Sequence, residues 1–75
     1  MKTDNNESRW DVILNFKHYD TQLAQDCDIN TAIVIANASM DTLISAGFTR
    51  TLTEPTKVHF VDNNGNKATV EYVRL

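Results

Sequence analysis

The sequence predicts an α+β two-layer domain: one amphipathic helix packed on a three-stranded, mostly antiparallel sheet in the order β-α-β-β. Three observations predict it. Trp10 to Tyr19 alternates between apolar and polar residues. Asp28 to Phe48 is the longest apolar segment, with large residues at steps of three and four. Two further alternating runs flank Asn63-Asn64-Gly65-Asn66, a composition that turns the chain.

In chain order, residues 1–9 are polar with nothing to bury and read as a disordered tail. Residues 10–75 then form a single α+β domain. From Trp10, period two places Trp10, Val12, Leu14 and Phe16 on one face, with His18 continuing it. Ile13 and Tyr19 fall on the other. Trp10 and Phe16 are the largest candidates for the core from this strand. Asp20 to Cys27 fits a loop, a short helical turn capped by Asp20 or a continuation of the strand past a bend, and is read as a connection.

The central segment reads as one helix. Ile29, Ile33, Ala36, Met40, Leu43 and Ile44 form its predicted buried stripe. Asp28 is the expected N-cap. Gly47 followed by Phe48 is the expected stop, because glycine takes the left-handed position after a helix at little steric cost. Val34, Ile35 and Ala38 lie off the stripe. One alternative makes residues 31–37 a buried strand, with a shorter helix capped by Ser39. The uninterrupted stripe favours the helix, with Val34 and Ala38 free to touch a second surface.

Thr49 to Thr56, with Pro55, reads as a strand lead-in or an edge. Lys57 to Asp62 and Lys67 to Leu75 read as a hairpin. Two turn registers compete. A two-residue turn on Asn64-Gly65 would set Val58 against Glu71. A type I turn over Asp62, Asn63 and Asn64, with Gly65 as the left-handed bulge residue, sets Val58 against Val70 and Lys57 against Glu71. The second register matches apolar to apolar and is expected. The simplest arrangement puts the last strand in the middle, antiparallel to both others; the alternative is a parallel contact between the first two strands through a right-handed crossover. The first strand should then lie at an edge, free to pair with a copy of itself.

Chemistry is sparse in this chain. Seven basic and ten acidic residues give a formal charge of −3, which disfavours nucleic acid as a partner, since that requires a basic face. The single cysteine, Cys27, excludes an internal disulfide framework and makes a reducing cytoplasm the expected setting. No apolar run reaches the roughly 18 residues of a membrane span, so no membrane is expected. His18 and His59 have no regular spacing to Cys27 or to an aspartate. No catalytic residue, metal ligand set or cofactor is therefore assigned. Asp20, Asp26 and Asp28 read as solvated loop and cap residues. Asp62 to Asn66 lacks the later bidentate acid of a calcium loop.

The expected function is that of a small protein-interaction protein: an inhibitor, adaptor or regulatory subunit acting by surface contact, and not an enzyme. A small acidic protein that blocks a basic site on a larger enzyme is one special case. The alternative is a small-molecule binding module or minor enzyme, with a site between helix and sheet around His18 and Cys27. The candidate interface comprises Ile13, Tyr19, Val61, Val73 and Leu75 on the outer sheet face, with Val34 and Ala38 on the helix. A chain this short buries only about 60% of its unfolded surface, so a homodimer is also expected.

Overall fold

A computed structural model describes residues 8–75. The expected tail falls mostly on residues 1–7, outside the described residues. Six elements follow in order: β1 (Trp10–Phe16), β2 (Tyr19–Cys27), α1 (Ile29–Ser45), β3 (Thr49–Thr53), β4 (Lys57–Val61) and β5 (Lys67–Arg74). The architecture is α+β, with one helix on one face of an antiparallel sheet. The sheet has five strands rather than three, in the order β2-β1-β5-β4-β3. β5 sits centrally, antiparallel to β1 and β4 as expected. β1 is not an edge strand, because β2 covers its other side.

β2 corrects the reading of Asp20 to Cys27 as a connection. The chain reverses at Lys17 and His18, so β1 ends at Phe16 and His18 is an exposed turn residue, not part of a core face. Lys17 stands at φ 59°, a conformation in which glycine or asparagine is the common choice. Two bulges then break the alternation of β2. Ile13 opposes Gln22 while Val12 opposes Ala24, so Leu23 is an extra residue. Leu23 and Ala24, although consecutive, both pack against the core. A second irregularity before Cys27 carries Asp26 at φ 52°. β3 likewise has Thr51 as an extra residue, between Arg50 opposite Phe60 and Leu52 opposite His59.

The β4–β5 hairpin has the expected register. Val58 opposes Val70, Phe60 opposes Ala68, and Lys57 opposes Glu71. Gly65 has φ 82°, and its N–H donates to the Asp62 carbonyl at 3.1 Å. Asp62 Oδ1 accepts the N–H groups of Asn64 and Asn66 at 2.9 and 2.8 Å, and Oδ2 accepts Asn66 Nδ2 at 2.9 Å. These bonds, led by the Asn66 side chain and partly opposed by desolvation, hold the Asp62 carboxyl below its ordinary value.

Residues 31–37 are helical, which settles the alternative strand reading. Asp28 is the N-cap residue by position, with no side-chain cap hydrogen bond of full geometry. The pull of Thr31, its side chain first and its N–H after it, still lowers the Asp28 pKa against a smaller desolvation cost. At the far end the stop has the form of a Schellman motif. Phe48 N–H donates to the Leu43 carbonyl and Gly47 N–H to the Ile44 carbonyl, each at 3.0 Å, with Gly47 at φ 99°.

The buried stripe of α1 is rotated from the expected one. Ala32, Ala36, Met40 and Leu43 are buried, and they pack with Val12, Val58, Phe60, Ala68 and Val70. Ile29, Ile33 and Ile44 are exposed. The helix packs chiefly on β1, β2 and β5. Alanines at 32 and 36 have no bulk to hold the helix away from the sheet, and the isoleucines are left on its flank. Trp10 and Phe16 pack at the margin of the core, edge-on to Tyr72 and Phe48 respectively. Val12, not either aromatic, is the fully buried residue of β1.

Candidate binding surface

The seven expected interface residues do not form one patch. Ile13, Val61 and Val73 point to the sheet face away from α1, all half-buried. Ile13 and Val73 lie on neighbouring strands, since Asp11 opposes Val73 and Ile13 opposes Glu71. Val61 is two strands from Ile13, beside Leu52 of the bulged edge. Between the two apolar pairs run the Lys57–Glu71 pair and the polar row Asn15, Thr69 and His59. His59 Nε2 lies 2.9 Å from Glu54 Oε1. Leu75 is exposed past the end of β5, with its N–H donated to the Arg9 carbonyl at 2.9 Å. Tyr19 is on the helix side of the sheet, opposite Phe16, because the turn at Lys17 and His18 reverses the count. This corrects its expected place on the outer face. Val34 and Ala38 are exposed on α1, in the other layer.

His18 and Cys27 do not meet. Phe16 opposes Tyr19 at one end of the β1–β2 pair and Trp10 opposes Cys27 at the other. Cys27 Sγ lies 3.4 Å from the Trp10 carbonyl, and its thiol is free. Asp20 and Asp26 are likewise separated, near opposite ends of β2. Among the described residues, no group of three His, Cys, Asp or Glu side chains is placed to hold a metal ion. A shallow groove of about 350 Å³ on the outer face is lined by Leu52, His59, Val61, Lys67 and Thr69. A wider cleft of about 600 Å³ at the end of the sheet is lined by Arg9, Asp11, Asp26, Arg74 and Leu75. Inside it Arg9 Nε donates to Asp26 Oδ1 at 2.9 Å, and Arg9 Nη2 donates to the Asp26 carbonyl. The carboxylate of Asp26, foremost through this hydrogen bond, raises the Arg9 pKa further. Arg9 is therefore tied to the domain rather than part of a free tail.

The strongest apolar exposure is on α1. Ile29, Ile33 and Ile44 are 39, 41 and 49% exposed, and Val34 is 67% exposed. At 3.6 residues per turn these four share an arc of about 140° with Asn30, Asn37, Asp41 and, at its sheet-facing margin, the buried Met40. Asp41 is the one charged side chain among the helix's 17 residues. A helix facing only water normally carries charge along its outer side. Interfaces, by contrast, are depleted of charge at their centres. Sequence reasoning placed the three isoleucines in the core. The signal that could have exposed them is the pair Ala32 and Ala36, which with Met40 and Leu43 make a second stripe of helical spacing. No described helix is long and apolar enough to cross a membrane. The chain matches no protein-family model, no curated protein and no solved structure.

Proposed function

We propose that this protein works by surface contact with another protein, as an inhibitor, adaptor or regulatory subunit in a reducing cytoplasm, and not by catalysis. The observation that carries this reading is the outer face of α1, where Ile29, Ile33, Val34 and Ile44 stand exposed around a single charge. Burying such a face contributes about 25 cal/mol per Å² of apolar surface removed from water. A site between helix and sheet around His18 and Cys27 has no geometric support, since His18 lies in the turn before β2 and Cys27 ends that strand.

The test is capture from the native host with the wild-type chain and an Ile33→Ser/Ile44→Ser double variant. Circular dichroism first establishes that both fold alike. The expected result is a protein retained by the wild type and lost by the variant. Identical captures from the two chains overturn the assignment of this face.

A second reading, self-association, rests on the β3 edge. All five residues of β3 are exposed, and Leu52 stands out at 52%. Its only charged side chain, Arg50, is turned over the Phe60 ring at 6.0 Å rather than guarding the edge. The opposite edge, β2, is bulged and bears Asp20 and Asp26. A homodimer would therefore pair β3 with its copy. Light scattering across a dilution series should show dimer mass for the wild type and monomer mass for Leu52→Lys. A monomer at every wild-type concentration removes the homodimer.

A further inference from the structure

Charge in this chain is distributed unevenly, and the unevenness coincides with the exposed helix. From His18 to Thr49, through all of β2 and α1, there is no lysine or arginine, and there are four aspartates: Asp20, Asp26, Asp28 and Asp41. The rest of the chain holds all seven basic residues and the other six acidic ones, close to neutrality. Arg9 pairs directly with Asp26 and also acts at longer range on Asp28, so Asp41 is the aspartate of this segment that lies on the helix face and has no cation beside it in sequence. Asp28 stands immediately before Ile29. Asp41 lies between Ile44 and Val34 on the exposed arc. Asp20 lies on the sheet face away from α1, beside Asn15, and Asp26 is held by Arg9, so the apolar face of α1 is bordered by Asp28 and Asp41, and the helix itself contributes no cation.

We infer that the partner bound by α1 presents a cationic apolar surface: aliphatic side chains for Ile33, Ile44 and Val34, bordered by lysine or arginine. This inference rests on the reading of α1 as a binding face and adds the chemistry of its occupant. Complementary charge steers encounter and rejects wrong partners, while the buried apolar centre supplies most of the affinity. The same charge disfavours two other occupants. A second copy seated face to face would bring two cation-free acidic segments together. A nucleic acid or an anionic membrane surface would meet the same repulsion.

The probes are synthetic helical peptides of about 18 residues, or five turns. One is Leu/Lys amphipathic, one is Leu/Glu amphipathic, and one has the Leu/Lys composition scrambled so that no apolar face forms. Phosphatidylcholine vesicles are the fourth probe. Fluorescence anisotropy reads binding of the peptides, and sedimentation reads binding to the vesicles. The Leu/Lys peptide should bind, and the other three probes should bind at least about tenfold more weakly, a difference of roughly 1.4 kcal/mol. Ile33→Ser/Ile44→Ser should remove the binding. Asp41→Lys should weaken it several-fold, and raising salt should weaken it further, since exposed charges are screened beyond about 10 Å at 0.1 M.

Equal binding of the Leu/Glu peptide overturns the charge assignment. Equal binding of the scrambled peptide, or Leu/Lys binding unchanged in the isoleucine variant, reduces the effect to bulk charge and overturns the inference. Vesicle binding as strong as peptide binding overturns it in favour of a lipid surface, and no binding to any probe overturns it outright. The host capture described above separates this failure from a wider one. A partner lost on Ile33→Ser/Ile44→Ser whose contact surface is neutral or acidic leaves α1 as the binding face and removes only the cationic chemistry.

Discussion

Asp11 Oδ1 accepts the Asp26 N–H at 2.9 Å, across the second bulge of the β1–β2 pair. The other oxygen of Asp11 accepts Gln22 Nε2 at 2.7 Å. One carboxylate thus links Gln22, before the first bulge, to Asp26 within the second. It also supplies a partner for a backbone N–H that the disrupted ladder leaves unpaired.

Asp11→Ala should therefore destabilise the fold by about 0.5–1.5 kcal/mol, the net scale of a hydrogen bond, since both bonds are exposed. Asp11→Asn keeps one acceptor and should cost less. Urea unfolding of both variants checks this. An unchanged midpoint for Asp11→Ala would mean that the strand ladder alone holds β2 in place.

Gly65→Ala should cost about 1–2 kcal/mol, the left-handed penalty for a side chain at φ 82°. A β-carbon at this position meets nothing within 4 Å, so the cost is conformational alone. Gly65→Asn should recover part of it, since asparagine tolerates this region. Thermal melts that rank Ala and Asn alike would contradict the turn assignment.

Met40→Ala and Ile33→Ala should now differ sharply. Met40 is buried in the core, and its truncation should cost about 2–5 kcal/mol. Ile33 is exposed, and alanine is the better helix former, so its replacement should stay within about 1 kcal/mol. Ala36→Leu should destabilise by about 1–3 kcal/mol, because no space is left between α1 and the sheet. Chemical denaturation of the three variants checks the rotation of the stripe. An Ile33→Ala cost equal to that of Met40→Ala would restore the stripe expected from the sequence.

Acid should loosen the β4–β5 turn. The Asp62 pKa is lowered in the folded chain, chiefly by the Asn66 side chain. Its contribution to stability is complete above the ordinary aspartate value of about 3.9 and is lost as pH falls through the lower folded value. Asp28 adds in the same direction. Unfolding midpoints measured from pH 5 down to pH 2 should fall for the wild type, and less steeply for Asp62→Asn. Identical slopes would show that Asp62 titrates normally.

Local chemistry decided what was legible. The β4–β5 register followed from Asn63-Asn64-Gly65 and from matching Val58 to Val70, because a one-residue slip would turn every side chain to the wrong face. The helix and its Gly47-Phe48 stop were also legible, since periodicity and a left-handed glycine act within a few residues. The β1–β2 hairpin was hidden because its turn uses Lys17 at positive φ, without glycine, asparagine or proline, and because Leu23-Ala24 breaks the alternation at a bulge.

The face of α1 that meets the sheet was beyond the sequence. The expected stripe and the observed one share Ala36, Met40 and Leu43; the first is completed by Ile29, Ile33 and Ile44, the second by Ala32. Hydrophobicity alone selects the first. Tertiary packing selected the second, because the side chains filling the inner face of the sheet, Val12, Phe60 and Val70 among them, close-pack with Ala32, Ala36, Met40 and Leu43. The sequence by itself determined one helix on an antiparallel sheet and the register of the β4–β5 hairpin, and left β2 unread. The tertiary structure decided which isoleucines were left exposed, because the helix turns Ala32, Ala36, Met40 and Leu43 to the sheet.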